Sequence, residues 1–319
     1  KNVKIGAADA HKGLRVKGRG CGASTPAPPA GAEPVESPEE LEKKTRLRQE
    51  LFDKAGGDDL HHGKAGCTIE LTELRAITVS QLKDVRTHIE RRCEPEGWLN
   101  SLDQAKLTPK TVNLYAANDY VIMVSTAKRK CAYIELVAKG AQMPRWFCSH
   151  WWGEPVLDFV ACVETHAEDH GYSLKGCKHY DESAAYWVCA YANNQHDLKS
   201  VNAPTLEETS FYKALKLAEG AVSILDKGGM CFLRVWCAYE CFIALTQIEG
   251  LKYECYTAFE HKYEDAYQNE REPSAVGITY GLAMAKATRV EDSEDKALRE
   301  SFFPVQLCKQ AFGLKLENA

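Results

Sequence analysis

The sequence predicts an α/β protein with a parallel sheet that is covered by helices on both faces. Between residues 144 and 258, short apolar segments of strand length alternate with amphipathic segments of helix length. This alternation is typical of parallel strands joined by crossover helices. The 319 residues are 45 % hydrophobic and 27 % charged, which provides enough apolar material for a large buried core. The same composition excludes a wholly disordered chain, a collagen and a coiled coil.

Four strands and three helices are expected to alternate in this segment. The strands are expected at residues 146–149, 186–192, 221–225 and 251–256, and the helices at residues 155–170, 206–219 and 234–248. Pro155 stands in the first turn of the first helix, where proline is tolerated. Gly171, Gly220 and Gly250 follow the three helices and are expected to end them.

Residues 1–60 are predicted to form an extended, low-complexity tail. Residues 1–22 contain six basic residues and one acidic residue, residues 23–31 are rich in proline and alanine, and residues 33–42 are acidic. Such a composition cannot bury enough apolar surface to fold alone. We therefore expect the tail to bind a protein partner, with the alternative that it folds back on its own domain.

Two further regions flank the α/β domain at residues 144–258. Residues 67–143 are predicted to be a mainly helical layer, with Ser80 as the N-cap of a helix whose apolar residues recur at spacings of three and four. Residues 259–319 are predicted to be a helical extension. The best candidate helices in that extension lie at residues 282–288 and 295–303.

The charge and the cysteines restrict the function classes. The net charge of −5, from 40 basic and 45 acidic residues, argues against a protein that binds nucleic acid. No apolar run approaches the roughly 18 residues that a transmembrane helix needs, so no membrane span is expected. The 13 cysteines are odd in number and lack regular short spacings, which predicts free thiols in a reducing intracellular compartment.

Polar and aromatic side chains follow the predicted strands, at the point where each strand ends. Because ligands of an open parallel sheet bind beyond the carboxyl ends of its strands, these side chains are expected to converge on one rim. The tryptophans among them offer flat faces for stacking on a base or a nicotinamide ring. The candidate binding residues on the rim are Ser149, His150, Trp151, Trp152, Gly153, Asn193, Asn194 and Trp236.

Glu240 is the candidate catalytic residue. It lies one turn after Trp236 in the predicted helix at residues 234–248, so the two side chains share a face. Ile243 continues that face into the core. The Glu240 carboxyl is therefore expected at the boundary of the core, where desolvation would raise its pKa.

Each rim feature also has a purely structural interpretation. Tryptophans at a strand end can be structural plugs, residues 193–195 can form a simple turn, and Glu240 can be solvated or paired with Arg234. The coincidence of these features on one rim favours a binding site. No metal site is expected, because His166 and His170 lie four apart on a helix without a His-Glu-x-x-His motif and are interpreted as surface residues.

Two segments resemble the TIR (Toll and interleukin receptor) domain family. Arg234-Val-Trp-Cys-Ala-Tyr-Glu240 resembles the Trp-Cys-x-x-Glu motif of TIR domains, and Phe147-Cys-Ser-His150 resembles their opening strand. This likeness covers residues 144–258. Together with Ser-His-Trp-Trp-Gly-Glu and Tyr-Ala-Asn-Asn-Gln, these segments are also similar to a divergent group of TIR-like proteins from algae, notably dinoflagellates. The resemblance to that group reaches upstream to about residue 107.

The resemblance implies a fold and an activity. TIR domains are flavodoxin-like α/β modules that associate with one another and with adaptors. Some of them cleave NAD at its nicotinamide ribosyl bond without a metal, and the glutamate of the Trp-Cys-x-x-Glu motif is their catalytic residue. That residue corresponds to Glu240 here. The sequence departs from the family after the first strand, where Trp151 and Trp152 replace the usual Arg-Gly-Asp-type segment.

Two functions follow from these observations. The first is a TIR-like interaction or scaffold protein, an accessory subunit docked on a larger assembly through its N-terminal tail. The alternative is an NAD glycohydrolase-type or nucleotide-binding enzyme that uses Glu240, with NAD as substrate and no required cofactor. The chain begins at Lys1 rather than Met, and its basic start fits a plastid protein after removal of a transit peptide. Such a protein could occupy the soluble face of a photosynthetic membrane complex, and the cytoplasm is the alternative location.

Overall fold

The structure is a computed structural model that describes residues 37–54, 60, 66–172, 184–198, 203, 205–259 and 274–279. The chain divides by compactness into residues 1–43 and 44–319. The basic and Pro/Ala-rich parts of the predicted tail lie outside the described residues. So do the two helices predicted at residues 282–288 and 295–303.

The end of the predicted extended tail is a helix, α1 (Pro38–Lys54), so the expectation of an extended chain is wrong there. The reason is a capping box that composition alone does not reveal. The Glu40 backbone N–H donates to Ser37 Oγ at 3.3 Å, and the Ser37 N–H donates to Glu40 Oε2 at 3.1 Å. These bonds satisfy amide donors that the first helical turn leaves without partners.

The described part of the chain contains one mixed six-stranded sheet with the order β1-β3-β2-β4-β5-β6. The strands are β1 (Ile77–Thr78), β2 (Trp146–Ser149), β3 (Ala185–Val188), β4 (Gly220–Leu225), β5 (Lys252–Phe259) and β6 (Ser274–Gly277). The α/β class is confirmed, and the central strands β3, β2, β4 and β5 are parallel to one another. The purely parallel sheet that we predicted is wrong at both edges, because β1 and β6 pair antiparallel with their neighbours.

Helices cover the sheet on both faces. The described α-helices after α1 are α2 (Val79–Arg92), α3 (Leu114–Ala117), α4 (Met123–Thr126), α5 (Ile134–Val137), α6 (Val156–Asp169), α7 (Cys189–Ala192), α8 (Ser210–Leu217) and α9 (Val235–Thr246). A π-helical turn at Asn118–Ile122 joins α3 to α4. No helix among the described residues is long and apolar enough to cross a membrane.

Alternate residues of β2 face opposite helical layers, as the period of a strand requires. Trp146 belongs to a buried cluster that includes Leu82 of α2 and Val160 of α6. Phe147 belongs to a second cluster with residues of α8 and α9, and its ring stacks on Trp187 with centroids 5.2 Å apart. The helical region at residues 67–143 therefore shares its core with the sheet and contributes the edge strand β1.

Three local predictions are corrected by the structure. Thr78, not Ser80, is the N-cap of α2, because its Oγ1 accepts from the Gln81 N–H while its own N–H donates to the Gln81 side chain. The strand predicted at residues 186–192 ends at Val188, where the alanine-rich helical turn α7 begins. Residues 274–277, placed in a helical extension, form β6 beside β5.

Candidate functional site

The carboxyl ends of the parallel strands open into a cavity of about 280 Å³, which we call the rim cavity. β2 ends at Ser149 and β3 ends at Val188, so the residues that follow these strands emerge at the same edge. Six of the residues predicted from the sequence line the rim cavity: His150, Trp151, Trp152, Asn193, Trp236 and Glu240. The tertiary structure thus brings together three segments that are separated by some 40 residues each along the chain.

Glu240 lies in the middle of α9 with its carboxyl buried and hydrogen-bonded. Ser149 Oγ, at the end of β2, donates to Glu240 Oε2 at 2.5 Å. Burial, followed by the neighbouring Cys237 thiol, raises the pKa of Glu240 well above its usual value, and the Ser149 hydrogen bond only partly opposes that shift. Within the described residues, Ser149 is the hydrogen-bond partner of Glu240 and exposed Arg234 is not.

His150 is a second buried polar group on the wall of the rim cavity. Its side chain packs on Phe159 with ring centroids 4.5 Å apart, and within the described residues its Nε2 has no hydrogen-bond partner. Burial lowers the pKa of His150 to about 4, so the imidazole is neutral at pH 7. A buried polar nitrogen without a protein partner is uncommon in native proteins, and a ligand in the cavity could satisfy it.

Aromatic rings form the other wall. The Trp152 indole N–H donates to Cys189 Sγ at 3.2 Å, and its ring packs on Tyr115 with centroids 5.6 Å apart. Trp236 is 46 % exposed and packs on Phe211, with ring centroids 5.0 Å apart. Tyr115 and Phe211 also line the cavity but were missed in the sequence, because they come from helices α3 and α8 rather than from strand ends.

Of the two predicted asparagines, Asn193 lines the rim cavity and Asn194 does not. Asn193 lines the rim cavity, but its Oδ1 already accepts from Ser210 Oγ at 2.8 Å. Asn194 does not line the cavity, since its side-chain N–H donates to the Lys130 carbonyl at 2.7 Å. Residues 193–195 therefore act partly as the simple turn that was the alternative interpretation.

Gly153 is not part of the rim cavity either. It lines a smaller neighbouring pocket of about 150 Å³ together with Glu154 and Trp151. A Cβ at position 153 would overlap the Trp151 ring, so glycine is needed for the indole to pack against the backbone. Glu154 was missed in the sequence: burial and then the carboxylates of Asp226 and Asp158 raise its pKa well above the usual value.

His166 and His170 are not surface residues of the kind predicted. His166 is fully buried, and His170 lies against it with ring centroids 4.4 Å apart. The prediction failed because the apolar face of α6 is wider than the helix pattern alone indicates. Both histidines lie away from the rim cavity, near the amino-terminal end of the sheet.

Comparisons of the chain with protein-family models, with curated proteins and with solved structures gave no match. The interpretation of the rim cavity therefore depends on its own geometry and chemistry.

Proposed function

We propose that the protein binds a nucleotide in the rim cavity and cleaves its N-glycosidic bond, with NAD as the candidate substrate. The observation that carries this proposal is the buried Glu240 carboxyl, held by Ser149 in a cavity walled by tryptophan rings. Aromatic walls provide stacking surfaces for a base, and a buried carboxyl can act on a sugar. A cavity of about 280 Å³ suits the nicotinamide–ribose half of NAD, with the adenosine half outside.

The resemblance to TIR domains is consistent with the strand order. The four central parallel strands lie in the order β3-β2-β4-β5, which in chain order is 2-1-3-4. The flavodoxin-like arrangement has this order at its start. We therefore propose a flavodoxin-like core with an antiparallel strand added at each edge.

Glu240 acts in this scheme as a carboxylate. The bond between ribose C1′ and the nicotinamide nitrogen breaks, and nicotinamide leaves with the electron pair, which neutralises its pyridinium charge. Positive charge develops at C1′, where an ionised Glu240 stabilises it, and water adds with loss of a proton to the carboxylate or to solvent. Since burial raises the pKa of Glu240, the rate should increase with pH as this group ionises.

Nicotinamide release by the purified full chain tests the proposal. We expect Glu240→Gln to lower the rate by about a hundredfold or more, the range typical for losing one electrostatic contact to a transition state. Glu249→Gln is the matched control, because Glu249 follows the same helix but is exposed. Absence of nicotinamide release from the wild-type protein, or equal rates for Glu240→Gln and the wild type, would contradict the proposal.

A second function, that of an interaction protein, is favoured by the outer face of α9. Val235 is 81 % exposed, Phe242 is 53 % exposed and Leu245 is 61 % exposed. Their spacing of seven and three places them on one helix face. Exposed apolar residues that cluster in this way are typical of contact surfaces between proteins.

We propose a second copy of this chain as the partner of that face, since TIR domains associate with one another. Sedimentation velocity should show that the mass of the wild-type protein rises with concentration, and that Phe242→Glu together with Leu245→Glu abolishes the increase. A wild-type mass that does not change with concentration would contradict self-association through this face. Docking of the N-terminal tail on a larger assembly and the plastid location stay predictions.

A further inference from the structure

Two histidines and a glutamate meet on the face of the sheet that α6 covers, close to the amino-terminal ends of the parallel strands. His166 lies in the last turn of α6, His170 is its C-cap, and Glu254 is the third residue of β5. Since α6 begins beside the rim cavity and runs back along the sheet, this cluster and Glu240 belong to opposite ends of the fold. We call His166, His170 and Glu254 the α6–β5 cluster.

The distances within the cluster match those between ligands of one metal ion. Glu254 Oε2 is 2.9 Å from His170 Nε2 and 3.5 Å from His166 Nε2. One ligand atom from each residue lies within 4.8 Å of the others. Two ligand atoms bound to one tetrahedral Zn²⁺ at about 2.0–2.1 Å are about 3.3 Å apart. The two distances from Glu254 Oε2 lie on either side of this value, and the two histidines are close enough to share one ion after local side-chain adjustment.

His166 has a polar atom that makes no hydrogen bond among the described residues. Its side chain is fully buried, and Nε2 makes no hydrogen bond there, although Nδ1 lies 2.8 Å from the Tyr186 hydroxyl. If Nδ1 donates to Tyr186, the Nε2 lone pair faces the Glu254 carboxylate, and two acceptors oppose each other. If Tyr186 donates instead, the buried Nε2 proton faces the Glu254 carboxylate at an N···O distance of 3.5 Å, which is too long for a good hydrogen bond.

A metal ion removes this conflict. With Nδ1–H donating to Tyr186, the Nε2 lone pair of His166 becomes a ligand, and the carboxylate of Glu254 becomes its neighbour on the same ion. Ligating histidines commonly donate their other ring N–H to an oxygen, which fixes the tautomer as Tyr186 would here. Within the described residues, the ion pairs of Glu254 are those with the two histidines.

Aromatic rings enclose the cluster except on one side. Trp146 packs on His166 with ring centroids 4.4 Å apart and on His170 at 4.8 Å, while Tyr256 packs on His166 at 5.0 Å. The His170 side chain is 17 % exposed, against 0 % for His166 and 4 % for Glu254. An ion can therefore reach the cluster past His170, and a water molecule can complete its coordination there.

We propose that His166, His170 and Glu254 bind one divalent transition-metal ion, with Zn²⁺ the favoured ion and water as the fourth ligand. Two imidazoles and one carboxylate are a recognised ligand set for Zn²⁺. The ion joins the end of α6 to β5 and stabilises their packing, independently of the rim cavity.

Titration of the metal-free full chain with Zn²⁺ tests this proposal, by calorimetry and by competition with a chromophoric chelator. We expect one tight site per chain and a melting temperature that rises with Zn²⁺ concentration. His170→Gln and Glu254→Gln should each weaken this site by about tenfold or more, since even changes around the ligands cost about 10–100-fold. His196→Gln is the matched control, because that histidine bonds Thr126 elsewhere in the fold.

Substitution of Co²⁺ for Zn²⁺ distinguishes this cluster from the cysteines. Imidazole and carboxylate ligands give weak visible bands, whereas thiolate ligands add an intense near-ultraviolet charge-transfer band. The proposal requires that the wild-type protein with bound Co²⁺ shows the weak visible bands without the intense charge-transfer band. It is overturned by no Zn²⁺ binding to the wild type, by a thiolate spectrum, or by unchanged Zn²⁺ affinity in a folded His170→Gln or Glu254→Gln protein.

Discussion

The rim cavity and the α6–β5 cluster lie at opposite ends of the same parallel strands and are built in different ways. The rim cavity takes its residues from segments that directly follow strand ends, such as His150 after β2 and Asn193 after β3. The α6–β5 cluster takes its residues from the end of a helix and from within a strand, and Glu254 is 84 positions from His170. Strand ends can be located in a sequence, whereas the contact of a helix with a distant strand cannot.

The two sites also differ in how their buried groups are satisfied. Glu240 has a neutral partner, Ser149, and burial raises the pKa of its carboxyl well above the usual value. Glu254 has two histidines as partners and lies in a ring of aromatic side chains. The first arrangement suits chemistry on a ligand that comes and goes, and the second suits an ion that stays.

The largest expected effects come from substitutions that each change the property of one site and leave the other site unchanged. Glu240→Gln should lower nicotinamide release by about a hundredfold and leave Zn²⁺ affinity unchanged, because the carboxyl is remote from the α6–β5 cluster. His170→Gln should do the reverse. Both properties are measured on both proteins, after circular dichroism has shown that they are folded. Loss of both properties in either protein would mean that the two sites are one unit.

A smaller effect is expected from Tyr186→Phe, which removes the hydroxyl 2.8 Å from His166 Nδ1 and leaves the ring in place. Because this hydroxyl would fix the tautomer of a metal ligand, Zn²⁺ affinity should fall by about 10–100-fold. Chelator competition measures the change. Tyr191→Phe is the control, since Tyr191 is another buried tyrosine near β3 but outside the cluster. Equal Zn²⁺ affinities for the two variants would show that the Tyr186 hydroxyl does not support the metal site.

Trp236→Ala tests whether the aromatic wall of the rim cavity stacks on the ligand. Stacking of a base on an aromatic ring contributes about 1–3 kcal/mol, so the dissociation constant for NAD should rise by about 5- to 150-fold. Trp236 is 46 % exposed, and its removal should leave the fold intact. Phe242→Ala, an exposed aromatic change on the same helix, should leave NAD affinity unchanged. Calorimetric titration with NAD decides between a stacking role and a structural one.

The smallest expected effect is on stability and depends on pH. Below the pKa of an unfolded glutamate, about 4.3, Glu240 is protonated in both states and contributes nothing. Above it the unfolded carboxyl ionises first, because burial raises the folded pKa, so stability falls as pH rises. Glu240→Gln should therefore raise the melting temperature by about 2–4 °C at pH 7 and by nothing near pH 4. A difference in melting temperature between Glu240→Gln and the wild type that does not grow with pH would contradict the raised pKa of Glu240.

Much of the central fold could be predicted from local patterns. The helix α6 begins after Pro155 and its C-cap is followed by Gly171, as its sequence indicates. The strands β2 and β4 are mostly apolar and buried at every residue, as strands covered on both faces should be. The edge strand β1 has two residues and β6 has four, and runs that short carry no period from which a direction could be derived.

The sequence by itself determined that strands and helices alternate, and therefore which residues emerge at the carboxyl rim. That inference succeeds because strand direction fixes the edge at which each following segment appears. Only the tertiary structure decided that Ser149 bonds Glu240, that Tyr115 and Phe211 complete the cavity wall, and that Glu254 meets two histidines of α6. Those contacts depend on register and on helix rotation, which are set by the packing of the whole core and have no local signal in the chain.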